Sequence, residues 1–314
     1  MIYALRHRTA YTYEATVSFA RCVLRLTPRS SASQTVLESS VVATPTPSSI
    51  VRRIGPFGEE TLTLVIDQPH KALVIEARSR VDVHAPPVAE PRLSLPWEAV
   101  RAASYETAAL GPEGPAAYLY PTARTPIVAA ITDYARASFP PGRPIVEAAA
   151  DLMARIKSDF TYDSKATDVS TPAAEAFEAR HGVCQDFAHV MISGLHGIGL
   201  PAAYVSGYLR TIPPPGRARL EGADATHAWV SIWCGEDRGW IGFDPTNAVL
   251  AEDDHIVLAI GRDYSDVAPI DGIILAPGRQ TLEVEVDVIP QDELVAVLRP
   301  AFGARPAGNR HAPR

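Results

Sequence analysis

Apolar and polar residues alternate in short runs through the first 84 residues, and this period of two predicts β-strands. The runs are bounded by turn-forming segments, such as the Gly-Pro-Phe-Gly turn at 55–58. The predicted strands are Ile2–His7, Ala20–Leu26, Thr35–Val42, Thr61–Ile66 and Ala72–Val83. A series of strands with no helical period between them favours an antiparallel, sandwich-like β-domain over residues 1–84.

The pattern then changes to helical spacing. Residues 85–125 are rich in proline, alanine and glycine and are predicted to form a connector with one short helix at Trp97–Ala103. Beyond it, proline residues in first-turn positions predict the starts of three helices. Those starts are Thr125-Pro126, Pro144 and Thr171-Pro172.

A fourth helix is predicted to begin at Cys184 and to end at the glycines 197 and 199. After it the period of two returns, which predicts strands at Ala202–Leu209, Thr226–Trp233, Gly239–Asp244, Ile256–Gly261 and Gln280–Ile289. We therefore expect an α+β core over residues 126–290 and a tail over 291–314. The proline-rich loop at 213–217 is expected to project near the mouth of a site.

Composition and charge exclude several classes of protein. The 314 residues are 46% hydrophobic and 21% charged, as in a globular protein long enough for two domains. The net charge of −7 argues against nucleic acid as the main partner. No apolar run approaches the length of a membrane span, and Met1–Arg8 has no hydrophobic signal core. We expect a cytoplasmic protein with no membrane partner.

The three cysteines are too few and too scattered for a disulfide framework. Cys22 shares a strand face with Leu24 and is predicted to be buried, whereas Cys234 lies at a strand end where solvent is expected to reach it. Cys184 differs, because the N-terminus of a helix stabilises an anion such as a thiolate. Gly182 is expected to let a substrate approach its sulfur closely.

Two downstream residues are candidate partners of Cys184. His227 and Asp244 lie on two predicted strands joined by a short turn, which can bring their side chains together. A thiol, a base and a carboxylate that orients the base form a nucleophilic triad. The alternatives are a buried helix-start cysteine, a hydrogen-bonded core histidine and an aspartate that caps the turn before Pro245.

The order of three motifs is specific. The motifs Gly-Val-Cys-Gln-Asp-Phe-Ala-His, His-Ala-Trp-Val and Phe-Asp-Pro-Thr-Asn begin at residues 182, 227 and 243. In this order they resemble the transglutaminase-like superfamily of cysteine enzymes, in the bacterial branch with an N-terminal β-domain. The resemblance extends to 5–13 and 24–29. It implies a papain/transglutaminase-like core, with helices packed on an antiparallel sheet and Cys184 on the central helix.

The resemblance also implies a reaction, which is thiol-dependent acyl transfer on an amide or peptide bond through a Cys184 thioester. Water would resolve the thioester in an amidase or cysteine protease, and an amine would resolve it in a transglutaminase, so the acceptor stays open. The substrate is expected to be a peptide or protein amide. For the oxyanion we consider the Cys184 N–H, with Tyr162 or Gln185 as the second donor.

Two rival interpretations remain. His181, Cys184 and His189, with His227 and Cys234 downstream, could bind a metal, but the matched ligand pairs of zinc sites are missing. His189 is expected to be a packing residue or to support the site from behind. The second rival is a non-catalytic peptide-binding module on the same fold. We expect neither metal nor cofactor, and the sequence does not indicate an oligomeric state.

Overall fold

The N-terminal domain is a sandwich of two four-stranded antiparallel sheets. It is seen in a computed structural model, which describes residues 1–293 apart from 86–87, 108, 110, 212–224 and 276. Alternate residues of its two longest strands, Ile2–Val17 and His70–Val83, are buried over most of their length, as the period of two predicts. Its first six strands are β1 (Ile2–Val17), β2 (Phe19–Leu24), β3 (Gln34–Thr44), β4 (Ser49–Ile54), β5 (Glu60–Ile66) and β6 (His70–Val83).

The chain returns to this domain at its end. One sheet has the order β15-β1-β6-β3 and the other β14-β2-β5-β4, where β14 is Ile270–Leu275 and β15 is Gln280–Pro290. The expected core, 126–290, therefore contains two strands that pair with the N-terminal domain. Hydrophobic periodicity reveals a strand but not its partner, and β4 and β14 were themselves not predicted.

The helices lie between the sandwich strands in sequence. They are α1 (Trp97–Glu106), α2 (Ala129–Arg136), α3 (Ile145–Asp159), α4 (Ala173–Ala179), α5 (Cys184–Gly197) and α6 (Tyr264–Val267), with 3-10 turns at Pro91–Leu93 and Pro115–Tyr118. Pro144 and Pro172 precede α3 and α4, as predicted. The predicted start of α2 at Thr125-Pro126 is wrong, because the buried Thr125 hydroxyl is hydrogen-bonded to Thr122 (2.9 Å) outside the helix.

The helices pack on a five-stranded antiparallel sheet of order β12-β11-β10-β9-β13. Its strands are β9 (Ala202–Leu209), β10 (Ala225–Trp233), β11 (Trp240–Asp244), β12 (Val249–Leu250) and β13 (His255–Gly261). The central helix α5 buries Phe187, Val190 and Leu195 in one apolar core with residues of β10 and the other helices. The predicted α+β class, with a sandwich followed by helices on an antiparallel sheet, is confirmed.

The two domains share a buried interface. Side chains of β1, β6 and β15 pack against β9 and β13 in one apolar cluster: Tyr3, Leu5, Val81, Val83, Tyr208, Ile256, Leu258, Val286 and Val288. At its edge His7 is hydrogen-bonded through Nδ1 to the Tyr208 hydroxyl (2.9 Å) and through Nε2 to Thr9 (3.0 Å). The core sheet is therefore held against the sandwich by both apolar and polar contacts.

Some predictions concern residues beyond those that the structure describes. The loop at 213–217 and residues 294–314 of the predicted tail lie outside them. Within the described residues, no helix is long and apolar enough to cross a membrane.

The buried histidines predict acid sensitivity. Burial lowers the pKa of His7 to about 4, and likewise those of His189 and His196. Because the unfolded imidazole titrates near about 6.5, the unfolded chain binds more protons between these two values. The contribution of these three histidines to the free energy of unfolding should therefore be complete above about pH 6.5 and decrease as the pH drops toward 4.

Each such histidine should contribute a slope of up to about 1.4 kcal/mol per pH unit. His7→Gln, which keeps polar partners for Tyr208 and Thr9 but does not titrate, should flatten the curve measured by urea unfolding at several pH values. The control is His84→Gln at an exposed position. An identical slope in wild type and His7→Gln would contradict the assignment.

Candidate active site

The N-terminus of α5 is built around Asp186. Its Oδ2 accepts the backbone N–H of Val183 (2.9 Å) and the Thr167 hydroxyl (2.6 Å), which satisfies part of the first turn. A Cβ on Gly182 would lie 2.6 Å from the same oxygen. The missing side chain of Gly182 thus makes room for the capping carboxylate, a role that the sequence did not indicate.

The three cysteines differ in accessibility. Cys184 is half-buried and occupies the first position of α5, where backbone N–H groups have no intrahelical acceptor. Cys22 is buried as predicted, and burial raises the pKa of its thiol. Cys234 is also buried, and burial raises its thiol pKa too. The expectation that solvent reaches Cys234 is wrong, because its side chain is enclosed in the helix–sheet core.

His227 and Asp244 lie on the neighbouring strands β10 and β11. His227 Nε2 is 2.8 Å from Asp244 Oδ2, and both side chains are buried. A carboxylate only accepts, so Nε2 carries the hydrogen and donates it. The Cys184 side chain also lies close enough to His227 for the two groups to interact and raise the pKa of the imidazole. With Nε2 held by the aspartate, Nδ1 is the nitrogen left for the thiol.

The Asp244 carboxylate accepts five hydrogen bonds from the residues that the structure describes. Its Oδ2 accepts from His227, from Asn247 Nδ2 (2.7 Å) and from His255 Nε2 (3.1 Å). Its Oδ1 accepts the backbone N–H groups of Thr246 (2.9 Å) and Asn247 (3.2 Å). Oδ1 therefore caps the turn, while Oδ2 faces His227. The sequence offered a turn cap and an orienting carboxylate as alternatives for Asp244, and its two oxygens make both kinds of contact.

These contacts fix the charge of both groups. Burial alone raises the pKa of Asp244, but hydrogen bonds from His227 and His255 outweigh it and hold the pKa well below its usual range. Burial lowers the pKa of His227, yet its hydrogen bonds and charge interactions with Asp244 and Cys184 raise it to about 9. An ionised Asp244 beside a protonated His227 is thus favoured at neutral pH.

His255, at the start of β13, was missed by sequence reasoning. The strand predicted from sequence began one residue later, at Ile256, and no motif includes His255. Its contact with Asp244 could not be predicted, because it depends on how β13 pairs with β9. Its ring packs edge-on against Trp229 (centroids 5.1 Å apart), which stacks on His227 (6.1 Å). The strand pairing thus adds a second histidine to the same carboxylate.

The structure places the two proposed oxyanion donors differently. Tyr162 lies on the two-residue strand β7 (Thr161–Tyr162), which pairs in parallel with β8 (His181–Gly182) directly before Cys184. Tyr162 is 55% exposed. The pKa of its hydroxyl is raised, mainly by partial burial and to a smaller extent by the charge of Cys184. Gln185 instead points to the preceding loop, where its Nε2 donates to the Val169 carbonyl (3.3 Å).

The residues considered for a metal site do not assemble around Cys184. His181 is exposed and bonds the Ala179 carbonyl (2.7 Å), while His189 Nε2 accepts the Tyr264 N–H (3.3 Å) in the core. Within the described part of the chain, one group has ligand-capable atoms within 4.8 Å of one another, namely His227, Asp244 and His255. Their atoms are joined by hydrogen bonds, which a metal ion would have to replace.

Comparisons with known proteins agree with this architecture. Residues 3–82 match the bacterial transglutaminase-like N-terminal region, and residues 132–245 match the core of the transglutaminase-like superfamily. A crystal structure described as "a Putative Cysteine Protease from Cytophaga hutchinsonii" has a TM-score of 0.70 and 20% sequence identity, and the similarity covers 93% of this chain and 92% of that one. At this identity the likeness shows the fold.

Relatives with higher identity cover nearly the whole chain. "Uncharacterized protein Rv2569c" of Mycobacterium tuberculosis is 41% identical over 298 residues, which are 92% of each chain. "Uncharacterized protein ML0607" of Mycobacterium leprae is 35% identical over 291 residues, which are 90% of this chain and 96% of that protein. With both matched regions and the fold, these similarities show that the chain belongs to the transglutaminase-like superfamily, in the group with the bacterial N-terminal region.

Proposed function

We propose that this chain is an enzyme that transfers an acyl group from an amide or peptide bond to Cys184 and then to water or a primary amine. The observation that carries the proposal is the pairing of a helix-start thiol with His227, whose Nε2 donates to the buried Asp244 at 2.8 Å. Such a pairing serves nucleophilic catalysis.

The first step needs a thiolate and a proton donor. The N-terminus of α5 and the protonated His227 both stabilise negative charge on Cys184. The thiolate attacks the amide carbonyl carbon, and the C–N bond of the resulting tetrahedral intermediate then breaks. His227 Nδ1 gives its proton to the departing nitrogen, which leaves as ammonia or an amine.

The second step reverses the role of the histidine. Neutral His227 takes a proton from water or from a primary amine as that nucleophile attacks the thioester carbonyl. The C–S bond breaks, the sulfur leaves as the thiolate, and the product is a carboxylic acid or a new amide. Asp244 holds the imidazole in the required tautomer throughout, because its Oδ2 accepts the Nε2 hydrogen.

Negative charge on the carbonyl oxygen requires nearby donors. The backbone N–H of Cys184 lies in the first turn of α5, where it has no intrahelical acceptor. Tyr162 pairs with Gly182 just before this turn, and the charge of Cys184 contributes to the raised pKa of its hydroxyl. We assign these two groups to the oxyanion. The Gln185 amide is committed to Val169 and would have to break that bond to serve.

We favour hydrolysis as the outcome of the second step, because the Cytophaga hutchinsonii structure is described as "a Putative Cysteine Protease". The substrate we propose is a peptide or protein amide, and no step requires a metal or cofactor. The competing function is a non-catalytic peptide-binding module. The five hydrogen bonds to Asp244 and the paired thiol argue against it, because a binding surface has no need of an oriented imidazole.

The acceptor can be tested directly. The enzyme should be incubated with a peptide library, with and without a labelled primary amine, and the products and the acyl group on Cys184 identified by mass spectrometry. We expect cleavage or deamidation by water and an acyl adduct on Cys184. Amine incorporation that outruns hydrolysis would overturn the hydrolase assignment, and no turnover of any amide, ester or thioester would favour the binding module.

The three cysteines provide an internal control. Limited iodoacetamide at neutral pH should alkylate Cys184 at least about tenfold faster than Cys22 or Cys234, because reactivity follows thiolate fraction and exposure. Activity should fall in step with that modification. His227→Ala should move the reaction to more alkaline pH. Peptide mapping that finds Cys22 or Cys234 labelled first, with activity retained, would remove Cys184 from the nucleophilic role.

Substitutions of the base, His227, and of its orienting carboxylate, Asp244, should lower activity to different extents. His227→Ala should lower kcat/KM by about a thousandfold or more, and Asp244→Asn by a smaller or similar factor, because the amide still caps the turn but presents the wrong group to Nε2. Asp263→Asn is the matched control, since this buried aspartate caps α6 through Ser265 N–H (2.7 Å). Unchanged kinetics in Asp244→Asn would leave Asp244 as a turn cap alone.

A further inference from the structure

His255 is a buried residue that touches the proposed catalytic group from outside the three motifs. Its Nε2 donates to Asp244 Oδ2 at 3.1 Å, the oxygen that also accepts from His227. The imidazole is enclosed by Trp229 on one side and lies on the same sheet face as the triad histidine. A donor in this position restricts the rotation of the carboxylate about its Cβ–Cγ bond. It therefore affects the geometry of the hydrogen bond between Asp244 and His227.

The chain segments on both sides of His255 are anchored to the N-terminal domain. Before it, the Tyr3 hydroxyl donates to Asp254 Oδ1 (2.9 Å). After it, the buried Gln34 amide bonds both groups of Val257, with Nε2 to the carbonyl at 2.8 Å and the N–H to Oε1 at 2.9 Å. The backbone N–H of Arg29 donates a second hydrogen bond to the Val257 carbonyl (3.1 Å).

The sheet alone does not fix this strand. β13 is an edge strand of the core sheet, bonded to β9 on one side, and its register with β9 shifts between Val257 and Ala259. An edge strand with such an irregularity needs other contacts to hold its position. Tyr3, Arg29 and Gln34 supply such contacts from the sandwich, beside the bond from Arg210 of the core to Asp254 Oδ1 (3.4 Å). Docking of the sandwich thus helps to fix where His255 points.

We propose that His255 is a positioning residue through which the N-terminal domain holds the Asp244 carboxylate in line with His227. The inference rests on the proposed function, because it assigns a role toward that same triad. It gives the sandwich a part in the chemistry without contact to substrate. The path runs from Tyr3 and Gln34 to β13, from His255 to Asp244, and from there to His227 and Cys184.

The test uses the full chain and needs no substrate. The rate of Cys184 alkylation by iodoacetamide is measured from pH 5 to 9, because it reports the thiolate that His227 stabilises. His255→Phe should lower the neutral-pH rate by about tenfold or more, as expected for the loss of one hydrogen bond to a charged group. His70→Phe is the matched control, a buried histidine bonded to the Gln68 carbonyl in the sandwich, and should leave the rate unchanged.

Two conservative variants separate positioning from packing. The Gln Nε2 lies about as far along the side chain as the His Nε2, so His255→Gln should keep the rate within about threefold of wild type. The shorter His255→Asn cannot reach Asp244 and should behave like His255→Phe. Equal rates in His255→Gln and His255→Asn would overturn the proposal, and this comparison holds even if His255→Phe fails to fold.

The link to the N-terminal domain has its own test. Tyr3→Phe removes the hydroxyl bond to Asp254 and should lower the rate about two- to fivefold in wild type but not in a His255→Phe or His255→Asn background. An undiminished effect in those backgrounds would overturn the link. If wild-type Cys184 reacts no faster than an ordinary exposed thiol, the proposed function fails. If it reacts fast and His255→Phe matches it, only this inference fails.

Discussion

A carboxylate with no exposure to solvent is the constraint on which the site depends. Burying Asp244 in its ionised form is unfavourable unless donors surround it, and five donors do so. They come from β10, from the turn after β11 and from β13, so the site forms only when these segments are assembled. The charge in turn favours the protonated form of His227.

Much of this architecture could be predicted from sequence because it is locally encoded. The alternation of apolar and polar residues predicted most strands of the sandwich and of the core sheet. For β9 it also predicted the observed bounds, Ala202–Leu209. The start of α5 at Cys184 follows from the apolar spacing after it. The order of the three motifs identified Cys184, His227 and Asp244 as partners. In the structure His227 is hydrogen-bonded to Asp244 and lies near Cys184.

What sequence reasoning missed depends on contacts between distant segments. The pairing of β14 and β15 with the sandwich, and the position of His255 beside Asp244, are set by strand partners that periodicity does not reveal. The role of Gly182 depends on the path of the Asp186 side chain, and the burial of Cys234 on packing above the strand end. The Gln185 side chain points to the loop at 169 because its amide donates a hydrogen bond to the Val169 carbonyl.

The central claim is that Asp244 and Cys184 together keep His227 protonated at neutral pH. The most direct measurement is the ¹⁵N NMR titration of the histidine side chains, with His227 assigned by comparison with His227→Gln. We expect an imidazolium at pH 7 to 8 that loses its proton near pH 9, and a lower titration midpoint in Cys184→Ala. A neutral His227 imidazole at pH 7 in the wild-type protein, or a midpoint unaffected by Cys184→Ala, would contradict it.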